Sequence, residues 1–149
     1  MIKHLILKTM TAGVISLALG TPALADTPAR IDGVTTVTAE QAHQLQQSGA
    51  TMVDVRVAVE YAEGSIAGAK NVPYKEKSEK SADFDAGADR FKVDELAADK
   101  SASLILFCNG PECWKSYKAT VLAQDAGYTN LNWLRGGYPE WKAAGLPTE

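Results

Sequence analysis

After a polar lead-in over residues 26–32, apolar positions come in short runs separated by stretches with helical spacing. Gly33-Val34-Thr35-Thr36-Val37 is β-branched and predicts a short edge strand. Thr38-Ala39-Glu40-Gln41 resembles a capping box, in which the Thr38 and Gln41 side chains each satisfy the other's backbone N–H. It opens a helix to about Gln47 that Gly49 ends. Thr51 to Arg56 predicts a strand, Val57 to Ala62 a short helix closed by Gly64, and Gly68 to Pro73 a turn-rich stretch. Lys75 to Arg90 holds little apolar material beyond Phe84 and reads as a solvated excursion. Phe91 to Ala97 has helical spacing, and Ser103 to Cys108 is an apolar run of strand length. A run of that kind predicts a strand buried on both faces, at the centre of a parallel sheet. Trp114 to Ala126 predicts a helix, Asn130 to Leu134 a last strand, Gly136-Gly137 a turn and Tyr138 to Ala144 a last helix. The alternation argues for an α/β fold: one domain with a mostly parallel central sheet and helices on both faces.

The first residues change the picture of where this domain works. Met1 to Lys8 carries Lys3, His4 and Lys8 and no acidic residue, and an apolar stretch from Ala12 through Leu19 follows. The segment closes on Pro22 and Ala23-Leu24-Ala25. Charged, apolar and A-x-A segments in this order predict a secretory signal peptide, residues 1–25, with cleavage after Ala25. The apolar run is short of the ~20 residues a bilayer span needs, so no stable membrane insertion is expected after cleavage. Residues 26–149 then form one domain, exported and expected in the periplasm.

The formal net charge is −3, and the expected leader takes two lysines with it. A mildly acidic chain without a basic run gives no reason to expect nucleic acid or an anionic membrane as partner. Small anions would have to be bound locally. The two cysteines, Cys108 and Cys113, lie close together rather than spread as a disulfide framework, which points to chemistry. A short structural disulfide closing one loop is the plainer alternative.

Ligands of open α/β sheets sit beyond the carboxyl ends of the strands, and Cys108 ends the strand expected to be central. That makes it the candidate nucleophile. Asn109-Gly110-Pro111-Glu112-Cys113 can curl its amides into an anion-binding nest, backed by the positive end of the following helix, with Trp114 and Lys115 at its start. Such fields lower a thiol pKa and favour thiolate. Trp114 reads more readily as a packed residue than a stacking one, and Trp133 and Trp141 as core. His43, far from the cysteines in sequence, is assigned no catalytic role.

Three stretches carry a family resemblance from about Val34 to Glu149. They are Val53-Asp54-Val55-Arg56 with the segment from Glu60 to Pro73, Leu104 to Cys108, and Gly127 to Leu131 with the segment from Leu134 to Pro147. In order and separation the chain resembles the rhodanese-like domain. The resemblance implies a sulfurtransferase in which the Cys108 thiolate takes a sulfane sulfur from a small anionic donor such as thiosulfate. The persulfide then passes its sulfur to cyanide or a thiol, in two-step covalent catalysis. No metal or organic cofactor is implied. Asp54 and Arg56 are implied supports of the loop, with a purely structural ion pair as the alternative.

The chain departs from the family pattern at the site. Ser65 stands where the first signature usually has His, and Cys113 where many members have a basic residue, with Lys115-Ser116 two residues later. An enlarged loop is expected. A phosphatase-like C-x5-R reading fails because the sixth residue after Cys108 is Trp114. Two rival readings stay open: a non-catalytic sulfur carrier with a protein partner, and a thiol-disulfide protein in which Cys108 and Cys113 cycle together.

Overall fold

The computed structural model describes residues 25–149. The expected leader therefore lies outside the described residues, apart from Ala25. Strands β1 (Thr35–Thr36), β2 (Thr51–Asp54), β3 (Lys70–Asn71), β4 (Leu104–Phe107) and β5 (Leu131–Leu134) alternate with helices α1 (Ala39–Gln47), α2 (Ala58–Glu63), α3 (Trp114–Asp125) and α4 (Gly137–Ala143). The five strands form one sheet in the order β1-β5-β4-β2-β3, and every pairing is parallel. The expected α/β architecture is thus observed, with β1 at one edge and β4 in the middle.

Because successive side chains of a strand point to opposite faces, a central strand covered on both sides must be apolar throughout. β4 meets that demand. Leu104 and Leu106 pack with Val53, Val55 and the α3 residues Ala119 and Ala123, and Cys108 continues on this same face. Ile105 and Phe107 pack the other way, against Met52, Leu134, Ala39 and Ala42 of α1 and Trp141 of α4. Trp133 joins Trp114 and Tyr117 in a third, smaller cluster.

The capping box at α1 forms with both reciprocal bonds, Gln41 N–H to Thr38 Oγ1 at 3.2 Å and Thr38 N–H to Gln41 Oε1 at 2.9 Å. Three segments depart from the sequence expectation. The turn-rich stretch supplies β3, since Lys70 and Asn71 pair with Val53 and Asp54 and the Val72 amide donates to Asp54. Phe91 to Ala97 winds only one 3-10 turn, Val93–Glu95. There the Tyr128 hydroxyl serves Ala97 O and N–H, and Lys70 Nζ donates to the carbonyls of Glu95 and Leu96, so side chains take groups a longer helix would use.

The third departure is Lys75 to Arg90, which is folded around one carboxylate. Asp89 accepts from the Tyr74 hydroxyl (2.6 Å), the Ser78 hydroxyl (2.6 Å) and the amides of Lys77 and Ser78 (2.6 and 2.7 Å). Lys75 and Arg90 exchange both backbone hydrogen bonds beside it. Lys118 of α3, its side chain fully buried, donates to Ser78 Oγ at 2.8 Å and sits 2.9 Å from Glu76 and 3.8 Å from Asp89. The Glu76 contact is an ion pair without hydrogen-bond alignment. Burial alone would raise the Asp89 pKa, but the hydrogen bonds from Ser78, Tyr74 and Lys77 outweigh it and hold the carboxyl below the ordinary range. Burial, with the hydrogen bond to Asp89 and its charge, pushes the Tyr74 phenol above its ordinary 10.0.

Candidate active site

Cys108 follows the last residue of β4, at the carboxyl rim of the sheet, and is 1% exposed. Its sulfur is bonded to that of Cys113, with the two Cα atoms 6.2 Å apart, so the intervening loop is closed on itself. Cys113 is only half-buried and is the N-cap of α3, without a side-chain cap. Within the loop the Cys113 amide donates to Gly110 O at 3.0 Å. The amides of Asn109, Gly110 and Glu112 donate to no acceptor among the described residues. Three loop N–H groups without an acceptor and an uncapped helix start therefore belong to the loop that the sulfur pair closes, and such groups can stabilise a negative charge brought to them.

The neighbouring turn holds this loop by close approach. Tyr138 N–H donates to Cys108 O at 2.9 Å. Gly137, at φ +65°, lies so near that a Cβ there would meet Gly110 N at 2.7 Å and overlap the Cys108 carbonyl. Only glycine combines that φ with that contact.

Asp54 and Arg56 form a buried ion pair beside the loop. Arg56 Nε reaches both carboxylate oxygens at 3.1 Å and its NH2 group donates to Oδ2 at 2.7 Å, while its amide donates to Oδ1 at 2.9 Å. Ser65, in the place of the family's His, donates its hydroxyl to the same carboxylate at 2.7 Å. The guanidinium also donates to Gly64 O and lies 4.6 Å from the Tyr138 ring centre. The pair thus reaches the cysteine loop through Tyr138.

Residues on either side of the expected cleavage point also contact the loop and the start of α3. Thr27 donates its N–H (2.9 Å) and hydroxyl (2.8 Å) to Pro111 O, and Arg135 ties Thr27 and Pro28 to the end of β5. The Trp114 indole N–H donates to Ala25 O at 3.0 Å, and its ring meets Tyr117 edge-on. Trp114 is buried, in keeping with a packed residue.

Two shallow clefts flank the loop. One, about 270 Å³, is lined by Arg56, Glu60, Asn109, Tyr138 and Lys142, with Asn109 donating to Glu60 at 2.7 Å. The other, about 290 Å³, is lined by Glu76, Lys80, Asn109, Glu112, Cys113 and Lys115. Cys113 faces this second cleft, whereas Cys108 lines neither. Roomier depressions of about 550 and 580 Å³ lie away from the cysteines and hold no group suited to the chemistry. No three His, Cys, Asp or Glu side chains converge to hold a metal among the described residues.

The structure brings Cys108 through Lys115 together as one loop and helix start, with Asp54 and Arg56 adjoining through Tyr138. The sequence reading did not single out Thr27, Arg135 or Lys118, and read Gly137 only as part of a turn. Gly137 and Arg135 sat within the closing signature, and Thr27 in a lead-in that carried no pattern.

A family model for the rhodanese-like domain matches residues 38–144. The chain is 32% identical over 108 residues to thiosulfate sulfurtransferase 16, chloroplastic, of Arabidopsis thaliana, covering 72% of this chain and 87% of that protein. It is also 32% identical over 111 residues to the HTH-type transcriptional regulator Rv0324 of Mycobacterium tuberculosis, covering 74% of this chain but only 42% of that protein. Among solved structures, a thiosulfate sulfurtransferase from Pseudomonas aeruginosa superposes with a TM-score of 0.58 at 27% identity, covering 78% of this chain and 20% of that one. The fold, the cysteine at the rim of the central strand and these matches agree: the chain belongs to the rhodanese-like domain family.

Proposed function

We propose that this protein is an exported sulfurtransferase whose reduced Cys108 carries a sulfane sulfur. The observation that carries the reading is the position of Cys108. It follows the central strand and opens the loop that holds the unpartnered amides of Asn109, Gly110 and Glu112 and leads to the uncapped start of α3. These dipoles stabilise both a thiolate and a persulfide anion. The thiolate attacks the outer sulfur of a donor such as thiosulfate, the S–S bond of the donor breaks, and sulfite leaves. Cyanide or a small thiol then removes the bound sulfur. Sulfurtransferase activity of relatives matched over most of their length supports the reaction class.

Lys80 and Lys115 line the cleft that Cys113 faces alongside Glu76 and Glu112, so an anionic donor relies on the loop amides rather than on a net positive cleft. Asp54 and Arg56 act as positioning residues through Tyr138. Cleavage after Ala25 and residence in the periplasm complete the proposal, and the disulfide is in keeping with an oxidising compartment. The test is cyanolysis: reduced protein loaded with thiosulfate yields thiocyanate, and Cys108→Ser yields none. Thiocyanate from Cys108→Ser at the wild-type level would remove Cys108 from the mechanism.

The bond between Cys108 and Cys113 also favours a second reading, in which the pair cycles between dithiol and disulfide. Counting free thiols in protein isolated without reductant tests it: two thiols that resist mild oxidants would exclude it.

A further inference from the structure

The disulfide places the only other described cysteine on the very atom that would carry the transferred sulfur. Cys113 is thus an acceptor built into the loop. In the disulfide form Cys113 is half-buried and lines a cleft whereas Cys108 is 1% exposed, so a reductant from solution meets Cys113 first and displaces Cys108 as thiolate. The same dipoles that favour the thiolate make Cys108 the better leaving group in that step.

From this geometry we infer a further activity, resting on the sulfurtransferase reading: release of the carried sulfur as sulfide, with Cys113 as the resolving thiol. Once Cys108 holds the persulfide, the Cys113 sulfur attacks the inner sulfur, the one belonging to Cys108. The Cys108–Cys113 bond forms and the bond to the outer sulfur breaks. That sulfur leaves with the electron pair and takes the proton given up by the Cys113 thiol, departing as hydrosulfide. The sulfane sulfur is reduced by two electrons and the two thiols are oxidised to the disulfide. An external dithiol then exchanges with the disulfide, becoming oxidised itself and restoring both thiols. Over a cycle, thiosulfate and a dithiol become sulfite, sulfide and the oxidised dithiol. The disulfide that the release step forms is the one observed here.

The experiment follows a single turnover. Full-length protein is reduced, freed of reductant without air, and mixed with thiosulfate and no acceptor. The inference expects one sulfite and one sulfide per chain and loss of both thiols, at a rate independent of protein concentration. Cys113→Ser is expected to gain one sulfur atom by intact mass and to release no sulfide. If the wild type instead keeps the extra sulfur while Cys113 stays alkylatable, the inference is wrong and the sulfurtransferase reading stands. Sulfide release that speeds up with protein concentration also overturns it, because the resolving thiol then comes from another chain. If neither protein yields sulfite nor gains sulfur, the carrier reading itself is lost, and this inference with it.

Discussion

Gly137 offers a controlled measure of how tightly the cysteine loop is held. Gly137→Ala places a side chain at φ +65°, a left-handed conformation that costs an L-residue roughly 1–2 kcal/mol. The new Cβ also has to displace Gly110 N, 2.7 Å away, and the Cys108 carbonyl. Overpacking of this kind costs about 1–3 kcal/mol, so a total of about 2–5 kcal/mol is expected. Gly145 supplies the reference, because its φ of +68° is nearly the same but a Cβ there meets nothing within 4 Å. Gly145→Ala should therefore cost only the conformational part, about 1–2 kcal/mol. Urea unfolding of both variants, read as midpoint and slope, isolates the steric difference of about 1–3 kcal/mol. Shifting Cys108 O and Gly110 N also moves the loop amides, so sulfur uptake from thiosulfate should slow by about tenfold or more in Gly137→Ala alone. Equal destabilisation of the two variants, with uptake unchanged in both, would refute the claim that Gly137 sets the loop.

Asp54→Asn leaves the Arg56 guanidinium buried without its counter-charge, and should cost about 3–5 kcal/mol by urea unfolding. A loss below about 1 kcal/mol would show that the pair bears little on stability. The Asp89 carboxyl is held below the ordinary range in the fold, so its contribution is complete above the ordinary 3.8 and drains away as the pH falls further toward its folded value. Stability of the wild type should then fall more steeply than that of Asp89→Asn below about pH 4, and parallel slopes would contradict the network around Tyr74 and Ser78.

The central architecture was legible because periodicity and punctuation agreed. Leu104 to Phe107 could be buried on both faces only at the middle of a parallel sheet, and Thr38 with Gln41 marked the start of α1 by chemistry that the structure reproduces. What was not legible depended on contacts distant in sequence. Asp89 looks like one more solvated carboxylate in a polar run until Tyr74, Ser78 and Lys118 are brought to it. Lys118 carries no mark of its burial, since α3 is covered around much of its circumference and has no clean apolar stripe. At the site, Cys108 and its loop could be found from strand position and spacing. The grip of Thr27 on Pro111 spans 84 residues and rests on two hydrogen bonds that no local pattern announces.

The account stands on sulfur being carried by the side chain of residue 108. The direct measurement uses the Cys113→Ser protein, which removes the internal acceptor. It is exposed to thiosulfate labelled in its outer sulfur, quenched in acid, alkylated and digested for peptide mass analysis. The account predicts one labelled sulfur on the peptide that contains Cys108, removed by cyanide as labelled thiocyanate. A Cys108 peptide found only as the plain alkylated thiol, in protein shown to be folded, would contradict it.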